Sequence, residues 1–250
     1  MSILSDIKDD KTIEDEEKDQ IFNKSFIIDS GLYLAKITTA YTLKSPKGAT
    51  GIAFNFALPD NKQFKKTIYI TSGDAKGNVN FYLDKDKNKR YLPNYLLING
   101  LIKLLLGKSI SDLETEERVI NVYNNDPNIK KEIPTTVDMI TELLDHEVYI
   151  GVQRQIVDAK KLVNNKYVLT GQTKETSEID KFFRAPDKYT NAEILAEATE
   201  ATFYKEWERA NTGNIIDKSS DKKTANTSPK STATSDKSTD APVGSLFNKS

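Results

Sequence analysis

Between Lys62 and Tyr91 the chain reads KQFKKTIYITSGDAKGNVNFYLDKDKNKRY. Cations stand at Lys62, Lys65, Lys66, Lys76, Lys85, Lys87, Lys89 and Arg90, with Phe64, Tyr69, Phe81, Tyr82 and Tyr91 between them. Cations follow a phosphate backbone and flat rings stack on bases, so this mixture has the chemistry of a groove for single-stranded nucleic acid. The same residues also fit a plain sheet with a lysine-rich outer face and its rings in the core.

Other chemistries have less material. There is no cysteine, which removes disulfides, thiolate metal sites and a cysteine nucleophile. His146 is the only histidine, so a multi-histidine metal site is excluded and any Ser-His-Asp triad would need it. Asp145, Glu147 and the Asp158-Ala159-Lys160 run are the one enzymatic candidate. Carboxylates and a lysine in such a pattern serve metal-dependent nucleases. SGDAKGN lacks the glycine spacing and the GK[ST] of a phosphate loop, and DKDKN lacks the Gly and final Glu of a calcium loop. No catalytic residue, metal or cofactor is expected.

The elements that must carry the cations and rings read as follows. Ser25–Leu43 is rich in β-branched and aromatic residues and predicts a long strand, with Gly31 as a bulge or bend. Lys44–Gly51 is a cationic turn containing Lys44 and Lys47. Gly51–Leu58 alternates, placing Ile52, Phe54, Phe56 and Leu58 on one face. Pro59-Asp60-Asn61 turns the chain into a third strand. There Phe64, Ile68 and Ile70 face one way and Gln63, Lys65, Thr67 and Tyr69 the other, the second set being the expected ligand side. Ser72–Tyr91 reads as an irregular, charged wall. Leu92–Leu106 predicts a helix with Pro93 in its first turn, Gly107 at its end and Leu97, Leu101, Leu104 and Leu105 inward. Residues 108–136 read as an acidic loop, and Thr136–His146 as a short helix with Val137, Ile140, Leu143 and Leu144 inward. Two more strands follow, joined by a turn across Asp158–Lys166 that holds Lys160, Lys161 and Lys166; Arg154 lies in the first of them. Thr190 and Glu193 predict a capping box opening one last helix, which carries Trp207 and ends at Gly213.

Charge is segregated along the chain. Residues 31–110 carry 13 basic against 4 acidic groups, and residues 111–150 carry 3 against 10. A basic surface on a protein of net charge −1 points to a polyanion as partner. Residues 1–24 are expected to form an acidic mobile arm, 25–214 the folded domain, and 215–250 a Ser/Thr/Lys-rich disordered tail ending in PVGSLFNKS. No run is long enough to cross a membrane as a helix. The first twenty residues lack the pattern of a secretory leader, so a cytoplasmic location is expected.

Three strands, helical matter and two strands is the order of the five-stranded OB barrel, in the mainly β, α+β class. That fold binds oligonucleotides over its second and third strands and with the loops joining strands one to two and four to five. Those loops would be Lys44–Gly51 and Asp158–Lys166, both cationic. The runs GLYLAKITTAYTLKSPKGATGIAFNFAL, YLPNYLLINGLIKLL and VYIGVQRQIVDAKKLVNNKYVLTGQTKETSEIDKFFRAPDKYTNAEI resemble the bacteriophage single-stranded-DNA-binding proteins of OB-fold type. The resemblance spans roughly Ser25 to Asn214. It implies a non-catalytic protein that coats and protects single-stranded DNA during replication, recombination or repair, without reading sequence. It also implies recruitment of replication or recombination proteins through a C-terminal tail. Family tails are acidic with a terminal aromatic, whereas this one has Phe247 but six basic groups against four acidic ones from Asp217 onward. The alternatives are a metal-dependent nuclease acting on DNA and a structural or virion β protein.

Overall fold

The computed structural model describes residues 27–123, 129, 131–163 and 166–220. The expected acidic arm, the Asn164-Asn165 turn, the side chain of Lys166 and the Leu246-Phe247 tip lie outside the described residues. The fold is mainly β, with one large, mostly antiparallel sheet and a few helices.

Strands β1 (Gly31–Lys44), β2 (Thr50–Ala57) and β3 (Gln63–Tyr69) form an antiparallel meander. In β1 the buried positions run Ala35, Ile37 and then Ala40. That three-residue step has a cause. The register with β2 slips between Ile37 and Thr39, and the extra residue restores the inward face. The bend expected at Gly31 is therefore here, and Gly31 merely opens the strand. Phe54, Phe56, Phe64 and Ile68 face inward as their alternation requires. The Pro59–Asn61 turn is a single 3-10 turn with Asp60 and Asn61 at positive φ.

A small hairpin, β4 (Phe81–Leu83) and β5 (Lys89–Tyr91), lies within the stretch expected to be irregular. Helix α1 (Pro93–Leu106) starts at Pro93 and stops where Gly107 adopts φ +68, with Gly107 N–H donating to the Lys103 carbonyl. Its buried face is Ile98, Leu101, Ile102 and Leu104, with Leu97 and Leu105 only partly covered.

The acidic region differs from expectation. It forms a ribbon of β6 (Glu116–Tyr123) and β7 (Glu132–Met139) instead of a loop and a helix. Val137 and Met139 alternate inward as strand residues, and β7 also pairs with β1 through Met139 and Asp138. The i, i+3 pair Ile140 and Leu143 that imitated a helix is buried by a 3-10 turn at Thr141–Leu143.

β8 (Glu147–Val163) and β9 (Lys166–Arg184) make the longest ribbon, so the expected Asp158–Lys166 turn is mostly strand. β8 pairs with β1 on its other edge, burying Val148, Ile150 and Val152 in the main core. A second slip leaves Asp180 unmatched on β9, and its carboxylate accepts a hydrogen bond of 2.7 Å from Trp207 Nε1. Trp207 belongs to a smaller core with Phe183 and Tyr204. The single last helix expected from sequence is two, α2 (Asn191–Leu195) and α3 (Phe203–Asn211). The Thr190–Glu193 capping box opens the first of them. Order extends beyond Asn214, because β10 (Ile215–Asp217) pairs parallel with β8 and Ser220 donates to Asp158.

The sheet is not closed into a barrel. Among the described residues no backbone ladder joins β3 to β9. The Lys66 side chain spans that gap, donating to the Ser177 carbonyl at 2.9 Å and pairing with Glu178 at 2.6 Å.

Candidate nucleic-acid interface

One end of the sheet gathers several of the expected residues. The turn after β1 folds on Ser45, whose Oγ accepts from the N–H groups of Lys47 and Ala49. Gly48 has φ +77, where side chains are strained, and a Cβ there would lie 1.9 Å from the Asp74 carboxylate and displace it. Asp74 N–H in turn donates to the Lys47 carbonyl at 2.9 Å. This brackets the turn against the loop that carries Lys76 and leaves the Lys47 side chain outward. Its ammonium lies 6.0 Å from the Tyr167 ring centroid. The turn joining β1 to β2 and the far end of the β8–β9 ribbon therefore meet, through a cation at a ring face.

Tyr69 sits at the end of β3, opposite Gly51, the first residue of the second strand expected from sequence. Its ring lies against the glycine so closely that a Cβ at Gly51 would be 2.8 Å from Tyr69 Cδ1. The residue remains 38% exposed. Lys44, at the end of β1, is exposed on the same margin.

The ribbon supplies residues that reading the sequence missed. Past Asp158, among the described residues, the two strands pair in the sheet only with each other, and Val163, Tyr167, Val168 and Leu169 are exposed, Tyr167 to 66%. Register places Lys160 opposite Leu169 and Lys161 opposite Val168. Lys160 thus shares the Tyr167 face and Lys161 lies on the reverse. The available signal was a tyrosine beside three lysines in KKLVNNKY, obscured by treating the run as a turn.

Other expected residues are elsewhere. Lys62 lies at the opposite end of β3 from Tyr69, about 23 Å away at 3.3 Å per residue. Lys65 is outward as expected, with the Glu132 carboxylate of β7 at 3.6 Å, so the acidic ribbon stands beside that face. Lys66 and Arg154, both expected among the nucleic-acid contacts, are engaged within the protein. Lys66 has the parity of Phe64 and Ile68, and its ammonium is engaged across the β3–β9 gap. The Arg154 guanidinium is held by Glu175 through two nitrogens and by Asp29 at 2.8 Å. These bonds hold its pKa above the usual arginine value.

Hairpin β4–β5 forms a separate aromatic patch. Tyr91 stacks on Tyr95 at 4.9 Å, Lys89 lies 4.8 Å over Phe81, and Tyr82 is 48% exposed. Arg90 bonds Asp84 at 3.0 Å. The Asn88 N–H and then Arg90 hold the Asp84 carboxyl below the usual carboxylate range.

The nuclease candidates do not assemble. Asp145 pairs with Lys36 at 2.7 Å, while Glu147 and Asp158 stand eleven positions apart on β8, roughly 35 Å at strand rise. Among the described residues no three His, Cys, Asp or Glu side chains are grouped to hold a metal ion, and no helix is long and apolar enough to cross a membrane.

The chain matches no protein-family model and no curated protein.

Proposed function

We propose that this protein binds single-stranded nucleic acid, without catalysis and largely without reading sequence. The observation that carries the reading is the approach of Lys47 to Tyr167, with Tyr69 exposed at the end of β3 where it packs against Gly51. Cations and exposed rings at one end of the sheet suit a flexible polyanion whose bases are free to stack. We take β1, β2, β3, α1 and the β8–β9 pair as an OB-like barrel held open at one seam. In that reading the β1–β2 turn and the ribbon end are the two jaws of the groove. Lys44, Lys47, Lys76 and Lys160 then meet phosphates, and Tyr69 and Tyr167 meet bases. Lys65, Lys161, the β4–β5 rings and Lys62 extend the path. Single-stranded DNA is the ligand that the resemblance favours, and coating it during phage replication, recombination or repair in the host cytoplasm is the matching role.

The test is binding of a labelled oligonucleotide as single-stranded DNA, duplex DNA and RNA at several salt concentrations. Preference for single strands is expected, with log affinity falling against log salt at about −0.7 per phosphate contact. Equal binding to duplex, or affinity indifferent to salt, would overturn the reading.

A further inference from the structure

A groove of about 1050 Å³ runs between α1, β9 and the two last helices, sharing no residue with the Lys47–Tyr167 margin. Leu97, Leu101, Leu104, Phe182 and Phe203 line it, and Leu96 on its wall is 53% exposed. Such a volume accommodates several apolar side chains. Three carboxylates border it without an ion pair among the described residues: Glu206, Asp180, which accepts from Trp207, and Glu193, which accepts from Thr190 and Phe203. Lys181 and Lys218 also border it, and the Lys181 ammonium lies over the Phe203 ring.

The position of Lys218 points to an occupant. The described chain ends at the edge of this groove, with Lys218 on its border, Ser219 buried and Ser220 tied to Asp158. Residues 221–250 follow, and their only large apolar side chains are Val243, Leu246 and Phe247, close to the end. The segment has five lysines against three aspartates, including Lys249 two positions after Phe247. Twenty-eight residues from Lys218 to Leu246 reach about 90 Å when extended, far more than the groove requires. Tethering also supplies an effective concentration near millimolar, so a weak fit suffices.

We propose that the C-terminal tip of this same chain, Val243 to Lys249, seats its Leu246 and Phe247 side chains in the groove between α1, β9 and α3. Lys249 then lies toward the acidic border. The tip is thereby stored against the folded domain, away from the nucleic-acid margin, and a partner with a better apolar pocket would have to draw it out.

The test uses the full chain with 4-fluorophenylalanine at position 247 alone, read by fluorine NMR. Seating should shift and broaden the resonance relative to a free peptide of residues 240–250, independently of protein concentration. Leu96→Glu, at an exposed helix position that tolerates charge, should return the resonance to the free-peptide position, as should Leu246→Ser. A full-chain resonance coincident with the peptide overturns the proposal. So does a shift that survives Leu96→Glu, one that vanishes on dilution and so comes from a second copy, or one abolished by oligo-dT because the tip sits on the nucleic-acid margin. The last outcome would leave nucleic-acid binding itself intact, and failure of nucleic-acid binding would leave the groove result readable.

Discussion

Three lysines within reach of each other in sequence do different things. Lys47 projects from a braced turn toward Tyr167, Lys65 stands outward beside Glu132, and Lys66 is engaged in the gap between β3 and β9. Their substitutions should therefore separate. Lys47→Ala should make the salt dependence of binding shallower by about 0.7 in log–log slope, weakening every sequence alike. Tyr167→Ala should cost about 1–3 kcal/mol of binding with the slope unchanged, since a base contact and no phosphate contact is lost. Affinity titrations at three salt concentrations distinguish the two. Lys66→Met should leave the slope alone and instead lower stability by about 1–3 kcal/mol, because the Ser177 carbonyl and Glu178 lose their partner. Chemical denaturation measures that loss. The inward parity of Lys66 was legible in KQFKKTIYI, since it alternates with Phe64 and Ile68. What it bonds to was not, because Ser177 and Glu178 are more than a hundred residues away.

Elements were legible where a local signal decided them. Pro93 and Gly107 bound α1, and Thr190 with Glu193 opens α2, as their chemistry dictates. The β6–β7 ribbon was hidden because it is charge-rich and its edge is completed by β1, a partner nearly a hundred residues earlier. Two outcomes follow at this scale. Gly151 lies under the Trp207 ring, where a Cβ would be 2.9 Å from Cζ2. Gly151→Ala should therefore cost about 1–3 kcal/mol by overpacking β8 against α3, measured by urea unfolding. Glu193 gives a pH signature. Burial pushes its pKa up, but hydrogen bonds from the N–H groups of Phe203 and Thr190 outweigh it, so the carboxyl titrates below its ordinary value. Its contribution is fully present above the unfolded-state pKa, near 4.3, and is lost as pH falls through the depressed folded value. The melting temperature of Glu193→Gln should accordingly fall less between pH 6 and pH 3 than that of the unaltered chain.

At the level of the whole molecule, the mainly β class was readable, but closure and extent were not. The strands β1, β2, β3, β8 and β9 neighbour one another in the order β3-β2-β1-β8-β9, yet whether β3 meets β9 depends on sheet curvature and on the slips in the β1–β2 and β8–β9 ladders. The sequence puts the domain end at Asn214, because the last helix stops at Gly213 and the resemblance runs no further. In fact β10 pairs with β8, and Lys218 N–H donates to the Ile156 carbonyl at 2.8 Å. A chain stopped after Asn214 should consequently melt several degrees below one stopped after Ser220, by about 1 kcal/mol for each ladder bond removed. Calorimetry on the two truncations checks this.

Ser30 has a further consequence. Its hydroxyl donates to the Asn214 carbonyl and accepts from Arg154 N–H, while its own carbonyl accepts from Gly213 N–H at 3.0 Å. Ser30 and the Gly213-Asn214 pair are thus pinned to one spot on β8, with β10 running on along the same strand. The domain is close to a topological ring: a short peptide linker from Ser220 back to Ile27, with the chain cut at the exposed Pro59–Asn61 turn, would keep every strand pairing.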